Sequence, residues 1–239
     1  MVLYMNYIFI IYFELNKKMK YYIFFLLSIF ISINSFNLRS TKQNYDSYVM
    51  SVIWVNGYCA INNCSSEVIS KLEPNIFTIH GLWPSLKSGK MLEDCTTGVK
   101  IVEKTTRLYS DLKLSWPSFH GDYIDFWEHE YNKHGYCMSE ENNWDNYEIY
   151  FRIVNNLYLR KFKLLMLYAF NFDTSKKMIT ITQEEMNYRL QKVMTNANFK
   201  MLCTNGIIHE LYFYLNKDYT PSTNSVFSSE CKIGKLLFK

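Results

Sequence analysis

Two stretches decide how this chain is read: Ile76-Phe77-Thr78-Ile79-His80-Gly81-Leu82-Trp83-Pro84 and Phe126-Trp127-Glu128-His129-Glu130-Tyr131-Asn132-Lys133-His134-Gly135-Tyr136-Cys137. Together they hold three of the five histidines, and the second packs carboxylates and a lysine around two imidazoles. Charged groups that close are costly to keep together unless they line a polar cleft. In the first stretch Ile76 to Ile79 has the apolar, β-branched character of a strand. Gly81 and Pro84 are expected to break it, which leaves His80 at a strand end beside a loop, a common position for reactive groups.

The second stretch reads as a helix from Tyr123 to His134, capped by Asp122 and stopped by a left-handed Gly135. At about 100° per residue, with His129 at zero, Lys133 falls near 40°, Glu130 near 100° and His134 near 140°. One side of the helix therefore gathers His129, Lys133, Glu130 and His134. A zinc site is disfavoured: His129-Glu130 begins like His-Glu-x-x-His, but Lys133 stands where the second histidine belongs. Two imidazoles on separate segments suit a reaction that takes a proton from one oxygen and gives one to another, such as RNA phosphodiester cleavage.

Outward from these blocks, a strand is expected over Tyr48–Val55 and ended by Gly57, with a short helix over Ser65–Leu72 and a loop over Lys87–Thr97. Helices are expected over Val99–Leu112, Tyr147–Phe170 and Thr182–Met194, the last with the capping box Thr182 to Glu185. Late strands are expected over Lys200–Cys203 and Ile207–Leu215. Strands and helices mix without regular βαβ alternation, which gives an α+β class. His209 reads as a strand histidine and His120 as a solvent-facing one.

The chain has 239 residues and 49% hydrophobic content, enough for one sizeable core. Residues 1–35 read as a leader: an apolar run Tyr21–Ile33 with the dimensions of a signal peptide, and a second apolar run Val2–Phe13 that makes Met19 an alternative start. The single domain is then 36–239, with 23 basic and 21 acidic side chains. A charge of +2 is no footprint for tight, non-specific nucleic-acid binding, but it allows transient binding at a local cleft. All six cysteines, Cys59, Cys64, Cys95, Cys137, Cys203 and Cys231, follow the leader, as in an exported protein with three bridges. Spacing alone leaves the pairing open. Asn63-Cys64-Ser65 is a glycosylation sequon at Asn63.

Both histidine blocks resemble the two active-site segments of the ribonuclease T2 family, in the family's order, and with the cysteines the resemblance runs from about Tyr48 to Cys231. It implies bridges Cys59–Cys64, Cys95–Cys137 and Cys203–Cys231, and helices packed on a central antiparallel sheet. It also implies a metal-independent endoribonuclease acting on single-stranded RNA through a 2′,3′-cyclic phosphate. His134 would be the general base, His80 the general acid, and Lys133 and Glu130 the groups stabilising the phosphorane. His129 would hold a phosphate oxygen, and Trp83 would stack on a base, a contact worth about 1–3 kcal/mol. DNA, lacking the 2′-hydroxyl, would not be cut. The expected setting is extracellular, or an endolysosomal or vacuolar lumen, as a monomer with no stable membrane association once the signal is removed.

The sequence departs from the family pattern at Tyr136, where a small Thr is usual, and at Ser85, where an acidic or amide residue often reads the base. It departs again at Ile53 and Val55, where many relatives have Gln and Pro. Two rival readings remain open. One is an exported recognition or toxin-like protein on the same scaffold; the other is a zinc hydrolase, separable by EDTA.

Overall fold

The computed structural model describes residues 44–86, 88–95, 98–102, 104, 106–142, 146–169, 175–223 and 231–239. The expected leader over 1–35 and the alternative start at Met19 lie outside the described residues. Six strands form one sheet: β1 Ser47–Trp54, β2 Phe77–Ser85, β3 Met178–Thr182, β4 Phe199–Thr204, β5 Ile207–Asn216 and β6 Ile233–Leu237. The order is β2-β1-β5-β6-β3, with β4 also paired to β5. All pairings are antiparallel except β5 with β6, so the expected antiparallel sheet is a mixed one.

β1 is buried from Tyr48 to Trp54, because both faces of the sheet are covered. Tyr48, Met50, Val52 and Trp54 point into the main core with Tyr150, Phe151, Val154 and Phe162 of the long helix. Val49 packs with Trp83 and Tyr214 on the opposite face, where Ile53 also packs with Val55 and Phe119. The opposite face carries the histidines.

Helices fill the rest. α1 Val55–Ile61 follows β1 directly, so Gly57 lies inside a helix and does not end the strand. α2 Ser66–Ser70 falls within the expected segment. α3 is confined to Arg107–Ser115; the expected helix from Val99 is wrong at its start, because Val99 and Ile101 have no regular secondary structure. Their backbone N–H groups donate to the side chains of Asn132 and Glu128, which hold that segment against the next helix.

α4 Tyr123–Glu130 begins as expected, with Asp122 Oδ1 accepting from the Ile124 N–H at 2.6 Å. It is not stopped at Gly135. The chain passes through a π turn, Tyr131–Gly135, in which the Tyr136 N–H reaches back to Tyr131 O, and continues as α5 Tyr136–Asn142. Gly135 serves close approach: a Cβ there would sit 2.8 Å from the Tyr131 ring and 2.9 Å from that of Tyr150.

The expected helix over 147–170 is observed as α6 Tyr147–Leu157, a π turn Tyr158–Phe162 and α7 Lys163–Ala169. α8 Gln183–Gln191 is capped by Thr182, whose hydroxyl accepts from the Glu185 N–H at 3.0 Å. The Glu185 carboxylate pairs with Arg189 at 2.6 Å. β3 and β6 escaped the sequence reading; each is only five residues long, which leaves little pattern to read. The three disulfides are Cys59–Cys64, Cys95–Cys137 and Cys203–Cys231, the pairing the resemblance implies. Among the described residues no helix is long and apolar enough to cross a membrane.

Candidate active site

The site starts from a conflict in strand periodicity. Ile79 and Leu82 both belong in the main core, yet they are three residues apart, which a flat strand cannot satisfy. β2 resolves it with a bulge. Ser51 of β1 opposes Gly81 and Val52 opposes Ile79, so His80 is the extra residue. A bulge re-aims its side chain and leaves backbone groups without ladder partners. The His80 carbonyl accepts from the Trp116 indole N–H at 2.7 Å. His80 is thereby turned away from the core, and it is the one residue of β2 that is only partly buried. It lies mid-strand, not at the strand end expected from Gly81 and Pro84.

β5 repeats the device. Ile208 and Leu211 are core residues three apart, and against β4 the register jumps from Glu210 to Ile208, leaving His209 as the extra residue. Glu210 then points at His80. The His80 Nδ1 lies 2.5 Å from Glu210 Oε1, with side chains 30% and 8% exposed. The Ser51 hydroxyl donates to the same carboxylate oxygen. On its other side, His80 Nε2 is 3.7 Å from Glu130 Oε1.

Trp83 is the hub. Its indole centroid is 5.1 Å from His80, edge-on, and 5.1 Å from His134, tilted by 34°. The Tyr212 ring meets it edge-on at 5.2 Å. The Trp83 N–H donates to Glu130 Oε2 at 2.9 Å. Gly81 makes that bond sterically possible, since a Cβ there would overlap both the Trp83 Nε1 and the Glu130 carboxylate. At 4% exposure Trp83 offers no free ring face to a base, so the base-stacking role expected of it does not fit this arrangement.

His134 approaches from the π turn. Its Nδ1–H donates to the Leu92 carbonyl at 3.2 Å, so in the neutral ring the lone pair sits on Nε2. Leu92 is held in turn: its N–H bonds Pro84 O, the Asp94 N–H bonds Lys133 O, and Cys95 is bridged to Cys137. Lys133 is half-exposed and pairs with Glu93 at 3.3 Å. His129 is exposed, so the four residues expected on one helix face divide. Glu130 and His134 turn inward, Lys133 borders them, and His129 faces solvent.

The electrostatics set the two imidazoles in opposite states. Burial opposes charge on His80, but Glu210, by attraction and hydrogen bond, and Glu130 outweigh both burial and the Lys133 charge, raising its pKa to about 9. Burial lowers that of His134 to about 4; Lys133 and His80 push the same way, and the Leu92 carbonyl and Glu93 offset only part. Burial drives the Glu130 carboxyl above the usual range, against His80 and the Trp83 N–H. Burial also acts to raise Glu210, yet the His80 charge and the hydrogen bonds from His80 and Ser51 hold it below. The arrangement can donate a proton at one ring and accept one at the other.

Of the remaining histidines, His120 is exposed and bonds Tyr58 and the Asn63 carbonyl, each at 2.9 Å. His209 reaches Thr204 at 3.2 Å. Asn63 is exposed. Among the described residues no group of three His, Cys, Asp or Glu side chains could hold a metal ion. Glu210 and Ser51 were missed from sequence; the one signal for Glu210 was the apolar pair Ile208 and Leu211, three apart, enclosing a polar dipeptide, and Ser51 carried none.

Residues 45–227 match the family described as Ribonuclease T2. Ribonuclease DdI of Dictyostelium discoideum is 36% identical over 98 residues, which span 41% of this chain and 42% of that protein. Ribonuclease Rh of Rhizopus niveus is 28% identical over 208 residues, covering 80% and 81%. Among solved structures, RNase NT in complex with 5′-AMP superposes with a TM-score of 0.66 at 22% identity, covering 82% of this chain and 98% of that one.

Proposed function

Because this chain belongs to the ribonuclease T2 family, we propose that it is an endoribonuclease that cleaves single-stranded RNA by transesterification. His134, neutral above about pH 4, takes the proton of a ribose 2′-hydroxyl on Nε2. The oxygen attacks the adjacent phosphorus. His80, charged up to about pH 9, gives its Nε2 proton to the departing 5′-oxygen. The products are a 2′,3′-cyclic phosphate and a 5′-hydroxyl. Lys133, close enough to act on both rings, supplies positive charge to the phosphorane; Glu130 keeps His80 oriented on its Nε2 side. His129 meets a phosphate oxygen from the solvent side, and Trp83 spaces the two imidazoles and fixes Glu130. Export to an oxidising compartment is supported by the three bridges, and Asn63, exposed in its sequon, is the glycan site.

The single observation that carries this reading is that one tryptophan touches two imidazoles, each held at Nδ1, one by the Glu210 carboxylate and the other by the Leu92 carbonyl, which leaves Nε2 of both rings to the reaction. The test is cleavage of mixed RNA from pH 4 to 8, with and without EDTA, with end-group analysis and a DNA control. Cyclic-phosphate ends, EDTA resistance and intact DNA are expected. His80→Ala or His134→Ala should each cost about 10²–10⁴-fold. Wild-type rates in either variant would refute the roles.

A further inference from the structure

The buried carboxylate beneath His80 lies outside both histidine blocks, and no step above uses it. Glu210 sits at 8% exposure on a strand whose other buried residues, apart from the tyrosine rims, are apolar. A carboxylate is costly there unless it is paired. Its Oε1 receives two donors, the Ser51 hydroxyl and the His80 Nδ1–H. Ser51 comes from β1, which pairs with β5, and His80 reaches across from β2, one strand further out, where the bulge turns it out of the core. Three separate fixtures therefore act on one residue: Glu210 at the ring Nδ1, the Trp83 ring edge-on against the imidazole, and the Trp116 indole at the backbone carbonyl. The free end is Nε2, which faces Glu130 and the site.

We infer that Glu210 is a positioning residue for the reaction, anchoring His80 through Nδ1 so that its Nε2–H is aimed at the leaving 5′-oxygen. The inference rests on the reading of His80 as general acid. Glu210 itself touches no reacting atom. The titratable groups that act on the ring are Glu210 and His209 from β5, and Glu130, Lys133 and His134 from α4 and its π turn; Ser51 from β1 and Tyr212 from β5 act on Glu210. Glu210 is the one acid bonded to Nδ1; Glu130 lies on the opposite nitrogen and stays when Glu210 is changed. The isosteric Glu210→Gln keeps an oxygen or nitrogen near Nδ1 and removes the charge.

A general acid matters only when the leaving group needs a proton, which supplies a readout that a structural role would not move. The test compares wild type, Glu210→Gln, Glu210→Asp and Ser51→Ala on two substrates. One is a dinucleoside phosphate, whose alkoxide must be protonated. The other is a nucleoside 3′-(4-nitrophenyl phosphate), whose nitrophenolate leaves without help. For Glu210→Gln on the dinucleotide, kcat/KM at pH 7.5 should fall about tenfold or more, with the alkaline limb moving about one pH unit or more towards acid. On the nitrophenyl ester it should stay within about threefold of wild type. Glu210→Asp should restore part of the alkaline limb, and Ser51→Ala should shift it in the same direction but less.

Equal losses on both substrates, or an unmoved alkaline limb, would overturn the inference. Should Glu210→Gln fail to fold, Ser51→Ala decides by the same two criteria. An NMR titration of His80 in the variants needs no activity. If wild type does not cleave RNA, the functional reading falls, and the titration alone decides whether Glu210 holds the ring. If wild type is active and Glu210→Gln matches it on both substrates, only the inference falls.

Discussion

At the scale of the residue, the site depends on what is absent at Gly81 as much as on what is present at His80. The Trp83 indole and the Glu130 carboxylate meet across the space a Cβ would fill. Gly81→Ala should therefore cost about 1–3 kcal/mol of stability, the usual range for overpacking a buried contact. It should also lower kcat more than it raises KM, because Glu130 loses its donor; denaturant melts and steady-state kinetics read the two effects. The charges make a second prediction. His134 must be neutral and His80 charged, so kcat/KM should rise as pH climbs through about 4 and fall as it climbs through about 9. A pH–rate profile with both limbs near the ordinary imidazole value of about 6.5 would show that burial and Glu210 do not set these states. His80, Glu130, Lys133 and His134 were legible because motif spacing carries them. Glu210 was not, since a single acid in an apolar strand has no motif, and its meaning lies in a partner 130 residues away.

At the scale of the element, periodicity was informative both where it held and where it failed. The Tyr147–Leu157 helix follows its apolar period, and Asp122 and Thr182 cap their helices as their side chains predict. The failures concentrate at the site. Ile79-His80-Gly81-Leu82 and Ile208-His209-Glu210-Leu211 each break a two-residue alternation, and each is a bulge. Gly135 looks like a helix stop, but it serves the contact with Tyr150 inside a helix widened by a π turn. Irregular elements of these kinds recur at functional sites because they re-aim side chains.

The segment after β2 belongs at this scale as well. Cys95–Cys137 closes it onto the helix, and Leu92, three residues earlier, fixes the His134 tautomer. Replacing both cysteines with serine opens a loop closed over 42 residues, with an expected loss on the order of 2–4 kcal/mol. Activity should fall further than the folded fraction does, with the acid limb of the profile broadened as His134 loses its fixed donor contact. Activity that tracks the folded fraction alone would limit the bridge to stability.

At the scale of the whole molecule, the two imidazoles come from opposite kinds of structure. One is pushed out of a buried sheet by a bulge, and the other is carried on a helix pinned by a disulfide-tied loop. The sheet supplies the carboxylate that charges the first ring, and the helix side buries the second, which among the described residues has no ion pair. Class, disulfide pairing and the identity of the blocks were readable from the chain, because they rest on local pattern and resemblance. Strand register was not readable, and register is what brings Glu210 under His80. The most direct test is a histidine-resolved NMR titration of the wild-type protein, with His80→Ala and His134→Ala assigning the signals. His80 should titrate near 9 and His134 near 4; two rings titrating together near the ordinary value, or in the reverse order, would overturn the assignment of acid and base.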